Sequence, residues 1–79
     1  MGVTRTRLLR SFGLAVREDR QRVGLSQEEL ADLAGLHRTY VSLLERGERN
    51  PSLEVISRLV VPLKTSMSGL LRRVEGASA

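Results

Sequence analysis

Between Gly24 and Gly47 the sequence has room for two short helices and nothing longer, because Gly35 divides the interval. Ser26-Gln27-Glu28-Glu29 has the form of a capping box. The serine can cap an amide of the first helical turn, and a glutamate three positions on can reach back to the serine's own amide. Leu30, Ala31 and Ala34 then fall on one side of a helix over Gln27–Ala34, and Gly35 supplies the left-handed residue that ends it. A second helix over about Arg38–Arg46 stops at Gly47. Only Gly35-Leu36-His37 separates the two, which is the layout of a helix-turn-helix.

The rest of the chain reads as helix as well, so the expected fold is all-α with five helices. Leu8, Leu9, Phe12, Val16 and Val23 recur at the helical period over about Arg5–Val23, and Gly24 stops that run. Gly47-Glu48-Arg49-Asn50-Pro51 is a loop. Ser52 can cap a fourth helix with Leu53, Ile56, Leu59 and Val60 inward. Pro62 lacks an amide and crowds the preceding turn, which ends that helix near Val60 or Val61. Ser66 can cap a short fifth helix carrying Met67, Leu70 and Leu71, and the small polar tail 75–79 is expected to fray. The ordered core then spans about residues 6–73, with no repeat and no low-complexity stretch.

At 79 residues the chain is one domain with a marginal core. The absence of cysteine removes disulfides and thiolate metal sites, and the lone His37 builds no metal site, so neither metal nor cofactor is expected. His37 reads as a turn or cap residue. No apolar run approaches the ~20 residues of a membrane span, and no apolar stretch follows the basic N-terminus as in a signal peptide. No membrane partner and a cytoplasmic location are therefore expected. No carboxylate pair, serine–histidine set or phosphate-cradling glycine loop suggests an enzyme. Net charge is +4, from 12 arginines and one lysine against nine acids. It is unevenly placed, at +4 over residues 1–24, −2 over 25–47 and +2 over 48–79. A polyanionic partner fits this balance, as does a merely basic surface. Arginine in place of lysine favours planar recognition of phosphate and base edges, a bias that GC-rich coding would also produce.

The third helix separates these readings. At 100° per residue, Tyr40, Val41 and Leu44 share one side. Arg38, Thr39, Ser42 and Arg46 share the other, with Leu43 at its edge. Arginine can hold guanine O6 and N7 together, hydroxyls can donate or accept, and threonine or leucine can touch a thymine methyl.

Spacing narrows the reading further. With Gln27 as the first position, Ala31 is fifth, Gly35 ninth, Val41 fifteenth and Leu44 eighteenth. A small residue lets the helices approach, the glycine makes the turn, and the two aliphatics pin the second helix on the first. On this spacing, and on Leu25-Ser26-Gln27-Glu28-Glu29-Leu30-Ala31 with Val41-Ser42-Leu43-Leu44-Glu45-Arg46-Gly47, the chain resembles the Xre/Cro-like helix-turn-helix family, which includes phage repressors, over about residues 8–71. Gly35 to Ser42, with Glu45-Arg46-Gly47-Glu48-Arg49-Asn50-Pro51, is similar to the controller proteins of restriction–modification systems.

The resemblance implies a phage-repressor-like, sequence-specific transcriptional regulator of double-stranded DNA, a homodimer that controls its own promoter and restriction–modification genes. RNA polymerase is a candidate further partner. Arg38, Thr39 and Ser42 match base-reading positions. Arg17, Gln27, Tyr40, Arg46 and Asn50 match contacts to the DNA backbone, with Gln27 also bracing the reading helix and Tyr40 equally readable as a core residue with its hydroxyl at the rim. Arg20 and Glu45 match a structural ion pair, and Leu63, Met67, Leu70 and Leu71 a dimer interface. The chain departs from the family at Val60-Val61-Pro62-Leu63-Lys64, where helix four usually ends on a glycine. Asp19 also falls near the inner face of helix one, where it is expected at the solvated edge or paired with Arg22 or Arg58. The competing reading is a protein-interaction module, such as an antitoxin or adaptor, using Leu43 and the C-terminal third as contact surfaces.

Overall fold

In the computed structural model, which describes residues 4–78, five helices follow one another: α1 (Arg5–Val23), α2 (Gln27–Ala34), α3 (Arg38–Glu45), α4 (Leu53–Val60) and α5 (Met67–Ser78). Four of the five starts, all but that of α3, carry a side-chain cap. Thr4, Ser26 and Ser52 accept hydrogen bonds from first-turn amides of α1, α2 and α4, and Ser66 Oγ accepts from the Gly69 amide at 3.0 Å. The capping box of α2 is complete, with Glu29 N–H donating to Ser26 Oγ at 3.0 Å and Ser26 N–H to Glu29 Oε1 at 2.8 Å. At the other end of α2, Gly35 takes φ 69° and Leu36 N–H returns to Ala31 C=O at 2.8 Å, so the chain reverses within the turn.

Tertiary contacts close a ring. α5 packs on α1, α1 on α3, α3 on α2, α2 on α4, and α4 on α5. Inside it lie Phe12, Val16, Leu30, Val41, Leu44, Ile56, Leu59, Leu63, Leu70 and Val74. The fully buried residues thus come from all five helices and from the segment after α4.

Several expectations are corrected. Leu8, on the apolar period of α1, is exposed. Leu53, the first residue of α4, is 70% exposed, and the side chain there leans toward the N-terminus, away from the core. Leu63 and Leu70, expected in a dimer interface, are fully buried within the protomer and have no surface left to give a partner. Of that set only Leu71 is exposed, while Met67 is half-buried against the core. α5 is not short: it is helical through Ser78, over most of the stretch expected to fray, with Ala79 outside the described residues. Val74 explains its length, since burial of Val74 with Leu70 continues the apolar stripe by one more turn.

Asp19 is paired with Arg22, one of the two partners expected, but it is neither at a solvated edge nor paired with Arg58. It is 2% exposed on the α1–α5 seam. There Asp19 Oδ1 accepts from Arg22 Nη2 at 3.2 Å and from Arg73 Nη1. Arg73 also reaches Glu18 at 2.9 Å, and Arg22 Nη2 donates to the Leu63 carbonyl at 3.2 Å. Arg58 instead pairs with Glu54 one turn back, at 2.7 Å.

The end of α4 departs from the family pattern in a specific way. Leu63 N–H still reaches Leu59 C=O at 3.2 Å, so the helical path continues past Pro62 despite the amide missing there. Lys64 then takes φ 57°, with Thr65 N–H returning to Val60 C=O at 3.0 Å. This is the closure that Gly35 makes after α2, made by a residue with a Cβ, at a cost of about 1–2 kcal/mol. Lys64→Gly removes that strain and returns part of it as unfolded-chain entropy. A net gain of about 0.5–1 kcal/mol is expected, read as a melting point ~3–6 °C higher. A lower melting point would show that the lysine makes a compensating contact.

Candidate nucleic-acid interface

α3 turns two different faces to its surroundings. Val41 and Leu44 are fully buried against the core, and Tyr40 packs half-buried beside them. On the opposite face Arg38 and Thr39 are exposed, Ser42 and Leu43 are half-buried, and Arg46 is exposed just past the last turn. Arg38, Thr39 and Ser42 join Gln27 of α2 in lining a shallow open notch of about 180 Å³. The three residues expected to read bases, and one expected to hold the backbone, therefore share one concavity.

The start of α3 is chemically distinct from those of α1, α2 and α4. His37 occupies its N-cap position but makes no side-chain cap, which leaves the first-turn amides without a side-chain acceptor. Such amides, with the positive end of the helix dipole behind them, suit a phosphate oxygen. The start of α2, by contrast, is occupied by its own serine and Glu29.

A buried clamp fixes the pose of α3. Glu45, at its last turn, has a side chain only 3% exposed. Arg20 of α1 donates to both its oxygens, Nε to Oε2 at 2.7 Å and Nη2 to Oε1 at 3.1 Å. Arg20 Nη1 also reaches the Leu25 carbonyl at 2.9 Å. Gln27 Nε2 donates to Glu45 Oε1 at 3.1 Å. The guanidinium pKa is raised above its ordinary value chiefly by the hydrogen bonds to Glu45, with burial opposing. The end of α1, the α1–α2 loop, the start of α2 and the end of α3 thus meet at one ion pair. The structure places Arg20 and Glu45 in the ion-paired arrangement expected of them.

The remaining candidate backbone contacts lie around this unit. Arg17 is exposed on α1 and, like Arg38, makes no ion pair among the described residues. Arg46 lies 3.9 Å from Glu48, and Asn50 is exposed in the loop before α4. One residue that the sequence reading missed is Gly13. A Cβ there would overlap the carbonyl oxygens of Leu44 and Glu45, so glycine is what lets α1 lie against the end of α3. The available signal was a glycine inside a long helical run with no capping role, which costs about 1 kcal/mol relative to alanine unless packing requires it. Among the described residues no helix is long and apolar enough to cross a membrane, and no group of three or more His, Cys, Asp or Glu residues is placed to hold a metal ion.

Comparison with known proteins agrees with this geometry. The sequence profile of the family described as Helix-turn-helix matches residues 16–70. The control protein C.SmaI of Serratia marcescens is 48% identical over 58 residues, covering 73% of this chain and 69% of that protein. The restriction-modification controller protein C.AhdI from Aeromonas hydrophila is similar in structure, with a TM-score of 0.76 and 48% identity over 78% of this chain and 94% of that one. The clp gene regulator ClgR from C. glutamicum superimposes with a TM-score of 0.85 and 30% identity, over 91% of this chain and 92% of that one.

Proposed function

Because the chain belongs to the helix-turn-helix family, we propose that it is a sequence-specific transcriptional regulator that sets α3 into the major groove of double-stranded DNA. The observation that carries this reading is the notch lined by Gln27, Arg38, Thr39 and Ser42, in which Arg38 makes no ion pair among the described residues. Arg38 reads a guanine edge, and Thr39 and Ser42 read the adjoining bases. Arg17, Tyr40, Arg46 and Asn50 hold phosphates. Gln27 gives one amide hydrogen to Glu45 and has a second for a phosphate oxygen. The protein acts by occupying DNA and not by catalysis.

An eight-residue reading helix presents too few side chains to specify a site alone. A homodimer doubles the readout and calls for a near-palindromic operator with half-sites about 34–36 Å apart. Leu71, which is exposed, and the uncovered part of the half-buried Met67 are the apolar surface of α5 available to such an interface. Similarity to C.SmaI and C.AhdI supports control of a restriction–modification operon that includes the protein's own gene. RNA polymerase is the second partner wherever the bound dimer activates.

Two substitutions separate reading from holding. Arg38→Ala is expected to cost ~1–3 kcal/mol on the preferred duplex and to relax preference at one base position. Arg17→Ala is expected to weaken binding to all duplexes alike and to lower the salt slope by about one. Titrations of matched and single-base-changed duplexes measure both. Equal behaviour of the two variants contradicts the assignment of Arg38 to base reading.

A further inference from the structure

Arg10 of α1 plays no part in the interface described so far, yet the structure sets it directly against the loop that follows α3. Gly47 makes the approach possible, since a Cβ there would lie 3.0 Å from both N and Cα of Arg10 and 3.1 Å from its Cγ. The stem of Arg10 therefore runs over the first residue of a loop that carries Arg49 and adjoins Arg46. These cations are more than thirty positions away in sequence. Arg10, Arg46 and Arg49 are all exposed, and the acid among them is Glu48, 3.9 Å from Arg46. Arg10 itself makes no ion pair among the described residues.

The charge at this end of α1 also runs against the stability of the helix. Arg5 and Arg7 occupy its first turn, which contains no acid. Cations there oppose the helix dipole at a cost of about 0.3–1 kcal/mol each. A nearby polyanion reverses the sign of that cost.

Around the α1 helix, Arg10 and Arg17 fall within about 20° of each other at 100° per residue, on the same side of the line through Gly13 where α1 touches α3. Seven residues separate them, about 10 Å along the axis. Two arginines without an ion pair among the described residues therefore stand in one row beside the reading helix, and the outer one is joined by the loop arginines.

We propose that Arg10 is a DNA phosphate-binding residue, held by the Gly47 contact beside Arg46 and Arg49, so that the protein grips the duplex backbone beyond the reach of α3. The assignment rests on the DNA-binding reading above and extends its footprint. The test is titration of the full-length protein, Arg10→Ala and Arg10→Lys against the preferred duplex from ~50 to ~300 mM salt. One lost phosphate contact lowers the slope of log K against log salt by about 0.9. Arg10→Ala is expected to show that loss, with binding several-fold weaker near 0.1 M salt and base preferences unchanged. Arg10→Lys is expected to keep the parental slope. Thermal melting checks that both variants fold, as an exposed side chain allows. A parental slope for Arg10→Ala overturns the assignment. Salt-dependent binding by the parent without base preference would remove the sequence-specific reading and leave the Arg10 contact standing or falling by its own slope. No duplex binding by the parent overturns both.

Discussion

Gly13→Ala is expected to lower the melting temperature by about 10–15 °C, although alanine is the better helix former by about 1 kcal/mol. The sign follows from what the new methyl meets. It overlaps the carbonyl oxygens of Leu44 and Glu45, which are backbone atoms and cannot swing aside as a side-chain end could. Relief requires α3 to move off α1 as a body, and Val41 and Leu44 leave their packing with it. Forcing extra volume into a closed contact typically costs about 1–3 kcal/mol, and the rigidity of this one places it at the upper end. Gly76→Ala is the internal control, since Gly76 lies in α5 with nothing within 4 Å of the position of its Cβ. That variant is expected to gain about 0.5–1 kcal/mol. If both alanines raise the melting temperature, the α1–α3 approach is looser than described. The same displacement of α3 is expected to weaken DNA binding under conditions where the variant remains folded.

Arg20→Ala is expected to be comparably severe, at about 3 kcal/mol in chemical denaturation. Its guanidinium is the only cation on Glu45 among the described residues; that carboxylate's side chain is 3% exposed, and the arginine's own is 12% exposed. Removing one partner of a buried pair strands the other and costs about 3–5 kcal/mol. The Leu25 carbonyl loses its donor as well. Gln27 would remain as a lone neutral donor to Glu45. If stranded charge is the cause, Glu45→Gln in the Arg20→Ala background should recover at least ~1 kcal/mol, because an uncharged amide needs less solvation and can still accept from Gln27. A loss below ~1 kcal/mol for Arg20→Ala, or strict additivity in the double variant, would mean that the clamp does not carry the load assigned to it.

The helix-turn-helix itself was legible from the sequence because its signals are local. The Ser26 capping box, the Gly35 turn and the alternation of sides on α3 each lie within a few residues, and each reappears in the structure. The ion pair of Arg20 with Glu45 was legible only through family resemblance, since nothing local links positions 25 apart. What escaped depends on distant partners. Asp19 is buried because Arg73, 54 positions on, meets it across α1 and α5, and helical periodicity on α1 alone could not supply that partner. Leu63 and Leu70 looked like interface residues because the path of the chain around Pro62 and Lys64 was open. Once Lys64 accepts the left-handed turn, the chain folds back, α5 returns to α1, and both leucines turn inward. The role of Gly13 was hidden for the same reason, because its meaning lies in the backbone of α3 and not in α1.

Selection of bound duplexes from a randomised DNA pool at near-physiological salt tests the central claim most directly, with the parent and Arg38→Ala run side by side. The parent is expected to enrich a two-fold motif with half-sites about ten base pairs apart, and Arg38→Ala to lose preference at one symmetric position of it. Retention of duplexes without any enriched motif would contradict the assignment of α3 as a base-reading helix.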